Sequence, residues 1–139
     1  PGLSNYVRQN GTKMNAQINW LNTSPAWGME AAEHNTTSSA TLSKLAAHND
    51  LGVRTAVAEN PNTLLSTVMR LAQDQCVDLR YAIAENHQMD GHVLRLLLAD
   101  DNPYVAHRAE RTLARCANEA NIMTLPIVPG IPNRLKLVG

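Results

Sequence analysis

Phenylalanine is absent from the 139 residues, and two tryptophans and three tyrosines are the only aromatic side chains. The two cysteines, Cys76 and Cys116, are too few for a disulfide framework or a four-cysteine metal site. No apolar run approaches the roughly 18 residues that a membrane-spanning helix needs. The chain shows no signal-peptide pattern, so the low cysteine content predicts a cytoplasmic protein that no membrane holds.

Alanine and leucine are the most abundant residues, which favours helix. The chain is 44% hydrophobic and 17% charged, a composition that can bury a core, and its length suits one domain. The formal net charge is zero. A balanced charge argues against a strongly basic nucleic-acid binder.

The strongest pattern is an internal repeat with an offset of 26 residues. Residues 53–60 (VRTAVAEN) and 79–86 (LRYAIAEN) match almost letter for letter at this offset. The same offset aligns Val53, Leu79 and Val105 with one another. We therefore predict about three and a half repeat units between residues 24 and 117.

Each unit reads as two short helices, for example residues 63–73 followed by residues 77–86. The first carries apolar residues at helical spacing, and Thr63 stands where an N-cap is expected, as Thr37 does one unit earlier. Asn60 precedes a proline, so the helix before it should end there. Helices this short are marginal alone in water and must stack on their neighbours.

These motifs resemble known helical repeats. Residues 60–63 (NPNT), 71–74 (LAQD) and 84–86 (AEN) resemble the leucine-rich repeat variant pattern, and residues 99–105 (ADDNPYV) resemble a HEAT-type turn. The resemblance covers about two thirds of the chain and implies an all-α, right-handed α-solenoid with a 26-residue period. Two departures stand out: no cysteine-rich iron–sulfur segment is present, and Ala106 replaces the arginine of the earlier units.

The repeat divides the chain into three parts. Residues 1–23 are a polar leader with a candidate degenerate cap, and residues 1–13 are a candidate added leader because Met14 could be the natural start. Residues 24–117 form the solenoid repeat domain. Residues 118–139 form a tail that three prolines prevent from being one helix. The tail either caps the last unit or forms a mobile arm that binds a partner.

One face of the second helices is a candidate binding surface. At 100° per residue, positions 55 and 59 point away from the core stripe that begins at Val53. The residues at these positions in three successive units are Thr55 and Glu59, Tyr81 and Glu85, and His107 and Arg111. The alternative is an ordinary solvated face with pairs four residues apart.

Arg54 and Arg80 lie beside the core stripe. We predict a structural role for both, in which the guanidinium bonds loop carbonyls or Asp50 and Asp74 across stacked units. The alternative is a role in binding a ligand. Under either interpretation lysine would be a poor replacement, because only the arginine fork holds two acceptors at once.

Other candidate chemistry is weak. His87, Asp90 and His92 are close in sequence but fall on an exposed turn without the HExxH spacing of a helical metal site. Cys76 aligns with a helix N-terminus, where a thiol can be activated, although an inert half-buried cysteine is the more usual case. No nucleophile elbow, phosphate loop or dinucleotide fingerprint is present. We therefore predict no enzyme, no cofactor and no metal site.

The repeat pattern predicts a non-catalytic protein-interaction module or adaptor, with Tyr81 as the anchor of its surface. The alternative is a HEAT-like nucleic-acid binder. Residues 24–117 hold eight lysines and arginines against eleven carboxylates, a net charge of −3, which makes the alternative weaker. Homo-oligomerisation through an exposed terminal unit also remains open.

Overall fold

A computed structural model of the chain describes residues 24–124, and the side chains of residues 24–120. That part of the chain folds into α-helices without any strand, so the all-α prediction is confirmed. None of these helices combines the length and the apolar character that crossing a membrane requires. The helices in chain order are α1 (Pro25–Glu33), α2 (Ser39–Leu45), α3 (Leu51–Glu59), α4 (Leu65–Leu71), α5 (Val77–Glu85), α6 (Gly91–Leu97) and α7 (Pro103–Thr124).

Long and short helices alternate and form two layers. The long helices begin at residues 25, 51, 77 and 103, and the short ones begin at residues 39, 65 and 91. In the first layer α1 packs on α3, α3 on α5, and α5 on α7. In the second layer α4 packs on α6, and the hydroxyls of Ser43 in α2 and Thr67 in α4 lie 2.9 Å apart.

The core lies between the two layers. The long helices contribute Val53, Leu79 and Val105, each fully buried, as the predicted helical phase requires. The short helices contribute Leu45 and Leu71 from the opposite side. Because helices of seven to nine residues have little stability alone, this shared apolar interior supplies most of the stability of each helix.

Side-chain caps begin several helices. The carboxylate of Asp50 accepts from the backbone N–H of Val53 at 3.2 Å, and Asn102 accepts from that of Tyr104 at 2.9 Å. The prediction that Thr63 and Thr37 are N-caps is wrong. Both hydroxyls instead donate at 2.6 Å to a carbonyl of the preceding long helix, Thr63 to Val57 and Thr37 to Ala31.

The last long helix extends beyond the predicted end of the repeat domain. Helix α7 ends at Thr124, whereas the repeat pattern stops near residue 117. Residues 118–124 contain neither proline nor glycine, so nothing in this stretch breaks the helix. The proline-containing part of the predicted tail, and the predicted leader and cap at residues 1–23, lie outside the described residues.

Candidate functional site

Helices α5 and α7 pack against each other in parallel, and an ion pair shows their register. The Glu85 carboxylate lies 3.5 Å from the guanidinium of Arg108. Beyond the end of α5, the His87 carbonyl accepts from the Cys116 thiol of α7 at 3.4 Å. Residues 23 positions apart therefore face each other near the middle of this pair. The same offset joins α1 and α3, where a β-carbon on Gly52 would lie 3.3 Å from Cε of Met29.

The same offset places Tyr81 of α5 and Tyr104 of α7 at corresponding positions, one helical turn before Glu85 and Arg108. Tyr81 is 37% exposed and Tyr104 is 77% exposed, and Val77, one turn earlier in α5, is 38% exposed. We call these three residues the aromatic patch. Neither phenol hydroxyl has a hydrogen-bond partner among the described residues, and neither ring makes a ring contact there.

Thr55 and Glu59, the first predicted pair, differ in exposure and in whether their polar groups already have a partner. The Thr55 side chain is half-buried, and its hydroxyl donates to the Leu51 carbonyl at 2.9 Å. Glu59 is exposed beside a shallow indentation that Thr55, Ala82 and Asn86 help to line, too narrow for a water molecule. Of this pair only Glu59 presents a free polar group to a partner.

The remaining predicted residues lie on α5 and α7. Glu85 faces Arg108, as described above. His107 is exposed, with its Nδ1 3.7 Å from the carboxylate of Glu110 in the same helix. Arg111 is exposed and forms no ion pair with the described residues. The predicted rows thus lie on one layer, and Tyr81 is their exposed large hydrophobic residue.

Sequence reasoning missed Tyr104 and Arg108 as members of this surface. It compared residues 26 positions apart, which occupy the same place in successive units. Residues that face each other across two parallel helices are offset by 23 positions here, as Glu85 and Arg108 are. This offset depends on how the helices pack, and periodicity alone does not give it.

Arg54 and Arg80 connect the loops that precede successive long helices. The Nε of Arg54 donates to Asp74 at 3.0 Å, and its Nη1 donates to the His48 carbonyl at 2.8 Å. In the same way Arg80 donates through Nε to Asp100 at 2.7 Å and through Nη1 to the Asp74 carbonyl at 2.7 Å. Each guanidinium therefore joins the loop before its own helix to the loop before the next long helix.

The second of these bridges is the more buried. Side-chain exposure is 10% for Arg80 and 4% for Asp100, and Asp101 adds a second, exposed carboxylate 3.0 Å from Nη2 of Arg80. Burial disfavours the charged form of Asp100, but hydrogen bonds from Arg80 and the Asn102 amide outweigh it and lower the pKa of the carboxyl. The hydrogen bond to Asp100 likewise raises the pKa of Arg80.

The loop before α3 has a histidine, His48, where the equivalent later loops have Asp74 and Asp100. The Nδ1 of His48 accepts from the backbone N–H of Asp50 at 3.0 Å, as each of those carboxylates accepts from the N–H of the second residue after it. One unit before Arg54, the residue equivalent to this arginine is Gly28. A buried carboxylate without an arginine would be costly, whereas a neutral imidazole can keep the loop hydrogen bond.

A groove of about 660 Å³ separates the loops at residues 46–49 and 73–76. Arg54 and Asp74 line it but already pair with each other, and Cys76 lies half-buried at its edge. The groove therefore offers a partner mainly backbone groups and amide side chains.

Asp90 and His92, two of the candidate metal ligands, hydrogen-bond to each other. Asp90 accepts from both the backbone and the ring of His92, at 2.7 and 2.8 Å, and the backbone hydrogen bond is the main cause of its lowered pKa. His87 takes part only through its carbonyl. Among the residues that the structure describes, no group of three or more histidine, cysteine or acidic side chains could hold a metal ion.

Comparison with known proteins found no match: no family model, no curated protein and no solved structure is significantly similar to this chain.

Proposed function

We propose that the chain is a right-handed α-solenoid of about three and a half two-helix units with a 26-residue period, related in design to leucine-rich repeat variant and HEAT-like repeats. The intervals between helix starts, the consecutive packing of the long helices and the two equivalent arginine bridges support this arrangement. Both cysteines are free thiols, which supports a cytoplasmic location.

We propose that the protein is a non-catalytic protein-interaction module whose surface centres on the aromatic patch. The observation that carries this proposal is the exposure of Tyr81 and Tyr104 on two helices that pack against each other, without an internal partner for either ring or hydroxyl. Tyrosine buries a large area at low entropic cost and is enriched at binding hot spots. Glu85, His107 and Arg111 supply a charged rim around it.

Capture of the partner from native lysate of the source cells tests the proposal. Immobilised protein is compared with the variants Tyr81→Ala and Tyr104→Ser, and bound proteins are quantified by mass spectrometry. We expect at least one protein whose recovery falls about tenfold with each tyrosine variant, as loss of a hot-spot side chain implies. Leu64→Ser, which removes an exposed side chain from the other layer, should leave that recovery unchanged.

Thermal unfolding of the same variants separates binding from folding. Both tyrosines are exposed, so their loss should change the free energy of unfolding by less than about 1 kcal/mol. If Tyr81→Ala unfolds the protein, Tyr81 is a core residue and the surface assignment is wrong. If no captured protein distinguishes the tyrosine variants from Leu64→Ser, the aromatic patch is not the binding surface.

A further inference from the structure

The first three long helices each end in a glutamate: Glu33 in α1, Glu59 in α3 and Glu85 in α5. All three residues are exposed. Glu33 and Glu59 make no ion pair or side-chain hydrogen bond with a described residue. Arg108 engages Glu85 only at Oε2, 3.5 Å away, which leaves Oε1 available. We call these three glutamates the carboxylate row.

Contacts between helix ends place the first two members of the row side by side. The residue after Glu59 is Asn60, and its Nδ2 donates to the carbonyls of Ala32 and His34, at 2.6 and 3.1 Å. Those two residues are the chain neighbours of Glu33. The ends of α1 and α3 therefore lie next to each other, with a free carboxylate on each.

The third member lies on the other side of Glu59. Glu59 and Asn86, the residue after Glu85, line the same indentation between α3 and α5. The next equivalent position, 26 residues after Glu85, is Arg111 in α7. Arg111 is exposed and forms no ion pair with the described residues. Successive packed helices therefore present three negative charges and then one positive charge.

The helix dipole makes glutamate an unfavourable residue at these positions. The C-terminal end of a helix carries partial negative charge, which favours a cation there. Helices α1, α3 and α5 have no basic residue in the last turn. The same local preference is therefore contradicted in three successive units, and such conflicts are typical of functional positions. A cation supplied by a partner would relieve the repulsion.

The separation of the carboxylates selects the class of occupant. Packed helices lie about 8–10 Å apart, whereas a calcium ion holds its oxygen ligands at about 2.3–2.6 Å, so one ion cannot bridge two members of the row. Nucleic acids and anionic lipids carry negative charge, which the row repels. A polypeptide segment with several lysine or arginine side chains fits both the charge and the spacing.

An extended segment matches the interval of the row. An extended or polyproline II chain advances about 3.1–3.3 Å per residue, so every third residue recurs after about 9–10 Å. Polyproline II has three residues per turn, which also puts every third side chain on one side of the segment. Cationic residues at every third position would therefore meet successive members of the row.

Tyr81 offers such a segment an aromatic contact. On α5 it lies one helical turn after Asp78 and one turn before Glu85, so the three side chains share a face. Asp78 is exposed, and its carboxylate has no partner among the described residues. A guanidinium can stack on a tyrosine ring while it faces a carboxylate, which favours arginine over lysine beside Tyr81.

We propose that the aromatic patch and the carboxylate row together bind an extended segment of another protein that carries arginine or lysine at every third residue. This inference rests on the proposed function, because it names the class of partner for the same surface. The position of the segment that faces Arg111 should carry aspartate or glutamate.

A designed peptide tests this inference on the full chain. The probe is a labelled proline-containing peptide with three arginines at every third position. One control has the same composition in scrambled order, and a second has glutamates in place of the arginines. Fluorescence anisotropy should show tighter binding of the patterned peptide than of either control. Its affinity should fall severalfold when ionic strength rises to about 0.5 M, where the Debye length is about 4 Å.

Charge reversal identifies the site. Glu33→Lys combined with Glu59→Lys should lose at least about tenfold in affinity for the arginine peptide and gain affinity for the glutamate peptide. Glu59→Lys alone should lose about threefold. Its matched control is Glu119→Lys, the same charge change at an exposed glutamate in α7, which should leave binding unchanged. Circular dichroism should show an unchanged fold, because all three glutamates are exposed.

Arg111→Glu extends the row by one negative charge. A peptide with four arginines at every third position should bind this variant severalfold more tightly than the unaltered protein, because the fourth arginine then meets a carboxylate. Equal or weaker binding would contradict the proposed alignment of the segment across the four helices.

Arg134 and Lys136 are cations of the same chain that lie outside the described residues. Replacement of both by glutamine should leave the affinity for the arginine peptide unchanged. A clear gain would show that residues 125–139 compete for the row, which overturns another protein as its occupant. Self-association that the double charge reversal abolishes would overturn it as well.

The same peptides separate this inference from the proposed function. Equal binding of the scrambled peptide, or no loss in the charge-reversed variants, overturns the inference, and the proposed function stands if the tyrosine variants still lose a captured protein. Tyr81→Ala should weaken binding of the arginine peptide severalfold through loss of the stacking contact. Binding that depends on the glutamates but on neither tyrosine would contradict the aromatic patch, and with it the proposed function.

Discussion

At the scale of single residues, the two arginine bridges show how a side chain can fix the spacing of units. Each guanidinium uses its fork to hold two carbonyls of one loop and a carboxylate of the next. Lysine has the charge but not the planar array of donors, so it could not hold all of these groups at once. The sequence predicted that Arg54 and Arg80 bond loop carbonyls or carboxylates across units. The carboxylates that accept from them are Asp74, Asp100 and Asp101. Asp50, the other predicted acceptor, caps its own helix instead.

Replacement of Arg80 by alanine should lower the free energy of unfolding by about 3 kcal/mol, because it leaves the buried Asp100 carboxylate without its cation. Arg80→Lys should be intermediate between the alanine variant and the unaltered protein. Arg115→Ala is the matched control: its pair with Glu119 is exposed, so the change should stay within about 0.5 kcal/mol. Urea unfolding measures all three, and equal effects of Arg80→Ala and Arg115→Ala would contradict a structural bridge.

Acid should weaken the same bridge. The pKa of Asp100 is lower in the folded protein than the ordinary value of about 3.9. Its carboxylate therefore stabilises the fold fully above that ordinary pKa, and this stabilisation is lost as the pH falls towards the folded-state pKa. The melting temperature should therefore fall more steeply below pH about 4 in the unaltered protein than in Asp100→Asn, whose side chain cannot titrate. Parallel curves for the two proteins would exclude Asp100 as a contributor.

At the scale of elements, close approach of two long helices depends on a glycine. A β-carbon on Gly28 of α1 would lie 3.0 Å from Cγ2 of Val53 in α3, and Val53 is fully buried. Because Val53 is β-branched and enclosed in the core, it has little room to move. This contact places α1 directly against α3.

Gly28→Ala should therefore destabilise the protein by about 1–3 kcal/mol, despite the better helix propensity of alanine. Gly91→Ala provides the control, since the nearest atom to its β-carbon belongs to the flexible Arg95 side chain at 3.6 Å. That change should be neutral or stabilising by about 0.5 kcal/mol. Thermal unfolding compares the two variants, and a stabilising Gly28→Ala would show that α1 and α3 can separate at no cost.

Element boundaries show where sequence patterns are informative and where they are not. The predicted start of α5 at Val77 and the predicted end of α3 before Pro61 agree with the structure. The threonine caps were wrong because a threonine hydroxyl can equally donate to the preceding helix, as Thr63 does to Val57. The repeat pattern stops near residue 117, whereas α7 continues to Thr124 because no helix-breaking residue occurs in that stretch.

At the scale of the whole molecule, charge is unevenly distributed among the helices even though the chain is neutral overall. The three short helices carry only basic charges, whereas α1, α3 and α5 carry five carboxylates and two arginines that are already paired. The last long helix differs from the other three, since α7 carries three arginines and two glutamates. Net charge alone therefore conceals how charge is distributed over the fold.

The sequence by itself determined the helical class and the buried stripe, because helical spacing and solvent exclusion act locally on each segment. Only the tertiary structure decided which side chains become neighbours. The pairs Glu85 with Arg108 and Arg80 with Asp100 depend on the offset and direction of packed helices. That geometry is set by how whole helix surfaces fit together, which no single segment encodes.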